Sequence, residues 1–190
     1  MIEYYSELNN EQLINYGANI IENVHGVFQI NKMFNDIKNK IEFDMESYDF
    51  ETASETLIMG RGNNFSKNML LYSILKINDI DCKLKLKYVM DKSFVFSHES
   101  TYIPWFYVDV NYFGKRLELD CSFDKEFMNT VGIFHKDTKF NYKLENYFNF
   151  KGRVFEVITS EGITLTDEIL KNLIASKGCL DDIQNTFISG

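Results

Sequence analysis

The stretch GRGNNFSKNMLLYSILKINDIDCKLKLKYV, residues 60–89, changes its hydrophobic period midway and thereby decides the fold. In its first half, apolar residues cover more than half of a helical surface. This pattern predicts a helix from about Phe65 to Ile77 that is buried on most sides. In its second half the period becomes two, which predicts a half-buried strand at 82–90. The solvated face of that strand would carry Lys83, Lys85 and Lys87.

Further helices and strands are predicted on both sides of this pair. Helical apolar spacing is found at 10–24, 29–41 and 166–176. Strand candidates are 93–97, 104–113, 116–120 and 152–159, with a hairpin turn at 113–115. The aromatic-rich segment 139–155 either extends the sheet or forms a contact surface. Together these elements predict an α+β fold, in which a central buried helix packs on a mainly antiparallel sheet.

The bulk properties of the chain exclude several classes of protein. Its 190 residues are enough for one domain, 1–190, with a sizeable core. A net charge of −8 disfavours nucleic acid and anionic membrane surfaces as partners. The N-terminus lacks the basic and apolar regions of a signal peptide. Three cysteines favour a reducing compartment, so we expect a cytoplasmic protein. No spacing of histidine and cysteine predicts a metal site, and no cofactor is predicted.

Two blocks of the sequence resemble the transglutaminase-like family, whose core is related to papain. They read ASETLIMGRGNNFSKNMLLYSILKINDI (53–80) and WFYVDVNYFGKRLELDCSFD (105–124). The family pattern is similar to A-x-E-T-L…G-x-G-x-C-x-D-K-A…L-L, followed by H-x-W-x-E-V…G…L-D-P-T. Matching positions are Ala53, Glu55, Thr56, Leu57, Gly60, Gly62, Lys67, Leu70, Leu71, Leu75, Ile80, Asp109, Val110, Gly114, Leu119, Asp120, Ser122 and Asp124. The resemblance implies a transglutaminase-like core at 53–124, N-terminal helices at 1–50 and a C-terminal extension at 125–190.

The resemblance also implies where a catalytic triad would lie. The family uses a cysteine at a helix start, a histidine on a facing strand and an acid that orients it. Here the cysteine position is Asn64, the histidine position is Trp105 and the orienting position is Asp120. A shift of two residues would place Ile103 at the histidine position. Neither register supplies a thiol and an imidazole, which implies a catalytically inactive member of the family.

Each of these residues also has a structural interpretation. Asn63 or Asn64 could cap the helix, because asparagine is a favoured N-cap residue. Trp105 could fill volume, and Asp120 could accept the indole N–H. Lys67 is expected to be solvated or paired with an acid. As candidate binding residues we name Asn63, Asn64, Trp105, Tyr107 and Asp120.

The first functional hypothesis is therefore an inactive transglutaminase-like protein that binds a peptide or protein segment through a remnant groove. An open groove would favour binding, and a filled groove would favour a structural role. The alternative is an active cysteine-type hydrolase or acyl transferase with a displaced thiol, most plausibly Cys82 with His98 and Asp109. A third hypothesis is a fortuitous resemblance, in which the central helix would not pack on strands 104–113 and 116–120.

Overall fold

The computed structural model describes residues 1–44, 47, 49–91, 102–127, 147–150, 153–157, 159 and 161–176. A further helical stretch begins at 125, and six α-helices lie wholly within these residues. They are α1 (Ile2–Ser6), α2 (Glu11–Ile21), α3 (Val27–Lys40), α4 (Ala53–Met59), α5 (Asn64–Ile77) and α6 (Asp167–Ala175). The predicted helices at 10–24, 29–41 and 166–176 are confirmed, whereas the sequence patterns did not identify α1. None of the helices in these ranges has the length and apolar character that crossing a bilayer requires.

Eight strands form two sheets in the described residues. The strands are β1 (Glu42–Phe43), β2 (Arg61–Gly62), β3 (Cys82–Asp91), β4 (Tyr102–Tyr112), β5 (Lys115–Leu119), β6 (Tyr147–Phe150), β7 (Arg153–Val157) and β8 (Ile163–Thr164). Strands β1 and β2 form a small parallel pair. The other six form an antiparallel sheet in the order β5-β4-β3-β7-β6, with β8 also paired to β3. The α+β class is confirmed.

Helix α5 lies at the centre of the molecule. It packs on β3 and β4 and also contacts α1, α2, α3 and α4. From Asn64 to Leu71 every residue is buried, polar residues included. The prediction that the central helix packs on the strand at 104–113 is thus confirmed. Since helices surround α5 on the sides that the sheet leaves free, it has no solvent-facing stripe in its first two turns.

The sheet has one apolar and one charged face. Leu84, Leu86 and Tyr88 point into the core beneath α5. On the other face, the expectation of a solvated lysine row is wrong. Lys87 is 4% exposed, and its Nζ lies 3.0 Å from Oε2 of Glu118. Lys85 and Lys87 are covered because neighbouring strands supply carboxylates that pair with them across the sheet, whereas Lys83 is exposed as expected.

The same face carries a second ion-paired cluster. Lys85 Nζ lies 3.0 Å from Asp109, and Arg116 donates two hydrogen bonds to the same carboxylate. Burial raises the pKa of Asp109, but the bonds from Arg116 and Lys85 outweigh it and hold that pKa below its usual range. Three strands are therefore joined through one carboxylate.

Gly162, just before β8, lies directly against the ring of Tyr107. A Cβ atom at position 162 would overlap the Tyr107 hydroxyl and lie 2.7 Å from two ring carbons. The hydroxyl is buried, and none of the described residues gives it a hydrogen-bond partner. The close approach of the chain at 162 therefore depends on glycine.

The turn between β4 and β5, the strand near 153 and the last helix follow the sequence predictions. A tight turn at Phe113 and Gly114, both with positive φ, joins β4 to β5 as predicted. Strands β6 and β7 pair with each other, and β7 pairs with β3, so 147–150 and 153–155 extend the sheet. Thr166 caps α6 by accepting a hydrogen bond from the Ile169 N–H. The strand candidate 93–97 and the first part of 139–155 lie outside the described residues.

Candidate functional site

Two neighbouring asparagines have different roles at the start of α5. Asn63 is the N-cap, and its Oδ1 accepts a hydrogen bond from the Ser66 N–H at 3.0 Å. Asn64 lies inside the first turn and is 8% exposed. Its Oδ1 accepts the Phe106 N–H at 2.5 Å, and its Nδ2 donates to the Phe106 carbonyl at 2.9 Å and to Ser122 Oγ at 2.7 Å. The amide of Asn64 thus pairs with the β4 backbone as a neighbouring strand would.

Asp120, the acid of the site, follows β5, and its carboxylate accepts four hydrogen bonds. Trp105 Nε1 donates to its Oδ2 at 2.7 Å. Its other oxygen accepts from the Ser122 N–H at 3.0 Å, the Ser122 hydroxyl at 2.5 Å and the Asn68 amide at 3.2 Å. Since Ser122 also accepts from Asn64, the side chains of Asn64, Trp105 and Asp120 belong to one connected network. The three aligned positions therefore meet in space, held by hydrogen bonds.

Aromatic rings cover this network. The Trp105 ring lies 5.4 Å from Phe123 and 6.5 Å from Phe43, measured between centroids. Phe123 stacks on Phe127 at 5.2 Å with an interplanar angle of 7°, and Phe43 meets both rings edge-on. Trp105 is 9% exposed. We call Phe43, Phe123 and Phe127 the aromatic cover, and in this conformation it closes the site.

The two parts of the aromatic cover are joined by Asp124. Its Oδ2 accepts the Phe43 N–H at 2.6 Å, and its Oδ1 accepts the Phe127 N–H at 2.8 Å. An open cleft of about 630 Å³ borders this carboxylate and is lined by Glu42, Gly60 and Asp124 among others. One buried carboxylate therefore lies between the covered aromatic site and an open cleft.

Lys67, one turn into α5, is fully buried, so the expectation of a solvated or acid-paired lysine is wrong. Its Nζ donates to the carbonyls of Ile41 at 2.5 Å and Lys38 at 3.2 Å. These are among the last carbonyls of α3, where helix carbonyls have no donor from the next turn of the helix. Burial lowers the pKa of Lys67 to about 8, although nearby Cys121 and Asp124 oppose this. Its amine therefore links the end of α3 to α5.

The predicted binding residue Tyr107 is not part of the network around Asp120. Its ring lies under Lys87 Nζ, 5.0 Å from the ring centroid, and its hydroxyl faces Gly162. Asn63, in turn, is occupied as a cap and donates from Nδ2 to the carbonyls of Ser47 and Asp49. The structure thus brings together Asn64, Trp105 and Asp120, but places Tyr107 on the charged face of the sheet.

The alternative triad is not assembled among the described residues. Cys82 is the register partner of Val110 and lies in the core, whereas Asp109 points to the opposite face of the sheet. Burial raises the pKa of the Cys82 thiol to about 12, and Asp81 adds to this effect. His98 lies outside the described residues. A thiol that is buried and protonated at neutral pH is a poor nucleophile.

Sequence reasoning named Ser122 only as a matching position and did not assign it to the site, and it missed Asn68 altogether. Asn68 follows Asn64 by one helical turn, so helical spacing alone places both amides on one face of α5. Ser122 follows Asp120 by two residues, which is the spacing at which an aspartate accepts a bond from a backbone N–H. Both signals were present in the sequence, but each is common.

Metal binding and histidine chemistry find little support in the described ranges. No group of three His, Cys, Asp or Glu side chains there could hold a metal ion. Of the three histidines in the sequence, His25 is exposed beyond α2, whereas His98 and His135 fall outside those ranges. The described site is therefore built from amides, hydroxyls, one carboxylate and an indole.

Comparison with known proteins gives a distant structural similarity at low identity. No protein-family model matches the chain, and no curated protein matches it. A crystal structure of a candidate cysteine protease from Cytophaga hutchinsonii is similar, with a TM-score of 0.49 and 13% sequence identity. The similarity covers 62% of this chain and 38% of that chain. The matched region thus spans well under half of the length of that protease.

Proposed function

We propose that this chain is a non-catalytic protein with a transglutaminase-like core, and that it binds a peptide or protein segment instead of cleaving or cross-linking one. The observation that carries the proposal is the hydrogen bonding of Asn64. Its amide occupies the helix start that a catalytic thiolate takes in the family, and it is bonded to the Phe106 backbone and to Ser122. A neutral amide committed in this way supplies no nucleophile.

The partners of Asn64 support the same proposal. Trp105 takes the histidine position, and its indole N–H donates to Asp120 at 2.7 Å. Indole nitrogen only donates, so it cannot accept a proton as a base. The acid thus still orients a ring, as it would in the family, but the ring has no basic nitrogen. The register that aligns Trp105 with histidine is favoured over the shifted one, because Trp105 reaches Asp120 directly.

Restoring the two missing groups tests the inactive core. We expect the double variant Asn64→Cys with Trp105→His to gain a reactive thiol. A thiol at the start of α5 would benefit from the helix dipole and from an imidazole held by Asp120. At neutral pH its alkylation by iodoacetamide should be about tenfold faster in the native protein than in the urea-unfolded chain. Mass spectrometry of each cysteine gives the rates.

The single variant Asn64→Cys is the matched control, since it has the thiol without the imidazole. Its thiol should react more slowly than that of the double variant. Cys82 and Cys121 serve as internal references, because both are buried and burial raises the pKa of each to about 12. Equal alkylation rates in the single and double variants would show that positions 64 and 105 do not form a thiol–imidazole pair. That result would contradict the proposed transglutaminase-like core.

The rings around Trp105 supply the aromatic surface for the binding role, although Trp105 is covered in this conformation and the cleft beside Asp124 is lined by polar residues and Gly60. Indole and phenyl surfaces that adjoin a cleft are typical of peptide anchors. We expect phage-displayed random 12-residue peptides to be enriched on the protein. Synthetic copies should bind Trp105→Phe about tenfold more weakly than wild type, since tryptophan dominates such contacts. Isothermal titration calorimetry measures both affinities.

Phe113 provides the control for that experiment. It is 90% exposed at the hairpin tip and is an aromatic residue outside the site, so Phe113→Ala should leave the affinity unchanged. Peptides that bind wild type and Trp105→Phe equally well would place recognition elsewhere. A failure to enrich any peptide above an unrelated protein would leave a structural role for the network.

A further inference from the structure

We propose that two copies of this chain pair along the outer edge of β5, as a symmetric antiparallel dimer with one continuous sheet. Strand β5 is the last strand on its side of the sheet, and in the described part of the chain it pairs with β4 alone. An edge strand presents a row of unpaired backbone groups that another strand can extend. The inference goes beyond the proposed peptide binding and does not depend on it.

The pairing of β4 fixes which backbone groups of β5 face outward. The Asn111 N–H donates to the carbonyl just before β3, at 2.9 Å, so it points away from β5. Backbone groups of successive residues in a strand alternate between its two sides. Val110 therefore bonds on the β5 side, where its register partner is Leu117. By the same alternation, the N–H and carbonyl groups of Arg116 and Glu118 point outward, away from β4.

The two outward-facing residues are complementary in charge to a second copy of themselves. A two-fold axis at Leu117 sets Arg116 of each copy opposite Glu118 of the other, so the same contact forms twice. Axes at 116 or 118 would instead bring like charges together. Opposite charges across a strand pair are stabilising, and like charges directly opposite are destabilising. The charge sequence of the edge therefore selects one register.

Both charged side chains keep hydrogen-bonding groups for this contact. Arg116 uses Nε and Nη2 on Asp109, and no described residue bonds its Nη1. Glu118 uses Oε2 on Lys87, and no described residue bonds its Oε1. The Arg116 side chain is 63% exposed, and that of Glu118 is 24% exposed. The dimer would thus join the ion pairs of both copies into one row across the charged face.

On the apolar face, Leu117 meets its own copy at the axis. It is half-buried and packs against the core, so one flank stays open at the edge. Opposite residues in such a non-hydrogen-bonded pair have close side chains, and the two leucines would cover each other. The strand has five residues, which makes a small interface. We therefore expect a weak dimer, with a dissociation constant on the order of 50 μM.

Two charge reversals test the pairing by mutual rescue. Arg116→Glu gives an edge with two acids, and Glu118→Arg gives an edge with two bases. Each variant alone should dimerise at least about tenfold more weakly than wild type in sedimentation velocity, because like charges face each other. An equimolar mixture should recover dimers, since every acid then faces a base. Loss of a bond within one chain, such as that from Arg116 to Asp109, cannot produce this rescue.

A cysteine at the axis tests the register and does not depend on the charge variants folding. Leu117→Cys places two thiols across the axis within the span of a disulfide. With Cys179→Ser in the background, oxidised glutathione should cross-link most of this variant on a non-reducing gel. Lys115→Cys is the matched control, because its two copies would lie about 14 Å apart on the same edge. Cys82 and Cys121 are buried and should stay unmodified.

Three results would each overturn the dimer. The first is wild type that stays monomeric at about 500 μM, tenfold above the expected constant, as it would if the edge served another protein. The second is equal cross-linking at 117 and 115, or a wild-type dimer that does not cross-link at 117. The third is a mixture of folded charge variants that stays monomeric. None of these measurements uses a peptide, so failed peptide enrichment would refute the proposed function and leave the dimer standing.

Discussion

Asn64→Ala is expected to destabilise the protein by about 4 kcal/mol, since it leaves several buried groups without partners. The Phe106 N–H and carbonyl would both lose their hydrogen bonds, and Ser122 would lose a donor. Each such loss in a buried site costs about 1–3 kcal/mol. A domain of this size is stable by only about 5–15 kcal/mol. Urea unfolding of both proteins, followed by circular dichroism, gives the difference.

The neighbouring asparagine makes the comparison specific. Asn63→Ala removes the same side chain one residue earlier, where it acts as an N-cap and contacts the partly exposed loop. Loss of an N-cap costs about 1–2 kcal/mol. We therefore expect the Asn64 substitution to be clearly the more damaging of the two. The reverse order would mean that the pairing of Asn64 with β4 contributes little to stability.

The second large effect that we expect is a pH dependence of the free energy of unfolding, which comes from Lys67. Burial lowers the pKa of Lys67 to about 8 in the folded state, below its ordinary value of 10.5. Below pH 8 both states hold the proton, and the fold bears the full cost of the buried charge. Between pH 8 and 10.5 the unfolded chain holds more protons than the folded one. Stability from this group therefore rises with pH across that window, by about 3 kcal/mol in total.

The difference between wild type and Lys67→Met isolates this contribution. Above pH 9, the buried thiols act in the opposite sense, because burial raises the pKa of both Cys82 and Cys121 and favours their protonated forms. Both proteins share those thiols. We expect the wild-type free energy of unfolding, minus that of Lys67→Met, to increase between pH 8 and 10. A constant difference would show that Lys67 does not change its protonation on unfolding in this range.

Much of the fold could be predicted because it is encoded in local periodicity. The change of period after residue 77 identified α5 and β3, and alternation with a tight turn identified β4 and β5. The error at Lys87 has a different origin. Alternation shows which residues share a face, but whether the face is covered depends on strand order and on segments far along the chain.

The candidate site was less predictable for a related reason. Sequence could place Asn64 at a helix start, where capping is the ordinary role. Its actual role depends on the β4 edge at Phe106, beyond the last rung that β4 shares with β5 at Val108 and Leu119. The burial of Lys67 likewise depends on where α3 ends. Neither contact follows from residues near in sequence.

The contact between Gly162 and Tyr107 constrains how this protein can change over evolutionary time. A side chain at position 162 fits only if the Tyr107 ring moves. Substitutions at the two sites are therefore not independent, and their order matters. A smaller residue at 107 would relieve this contact, and a larger residue at 162 would then be acceptable. While the Tyr107 ring keeps its present position, glycine is required at the entry to β8.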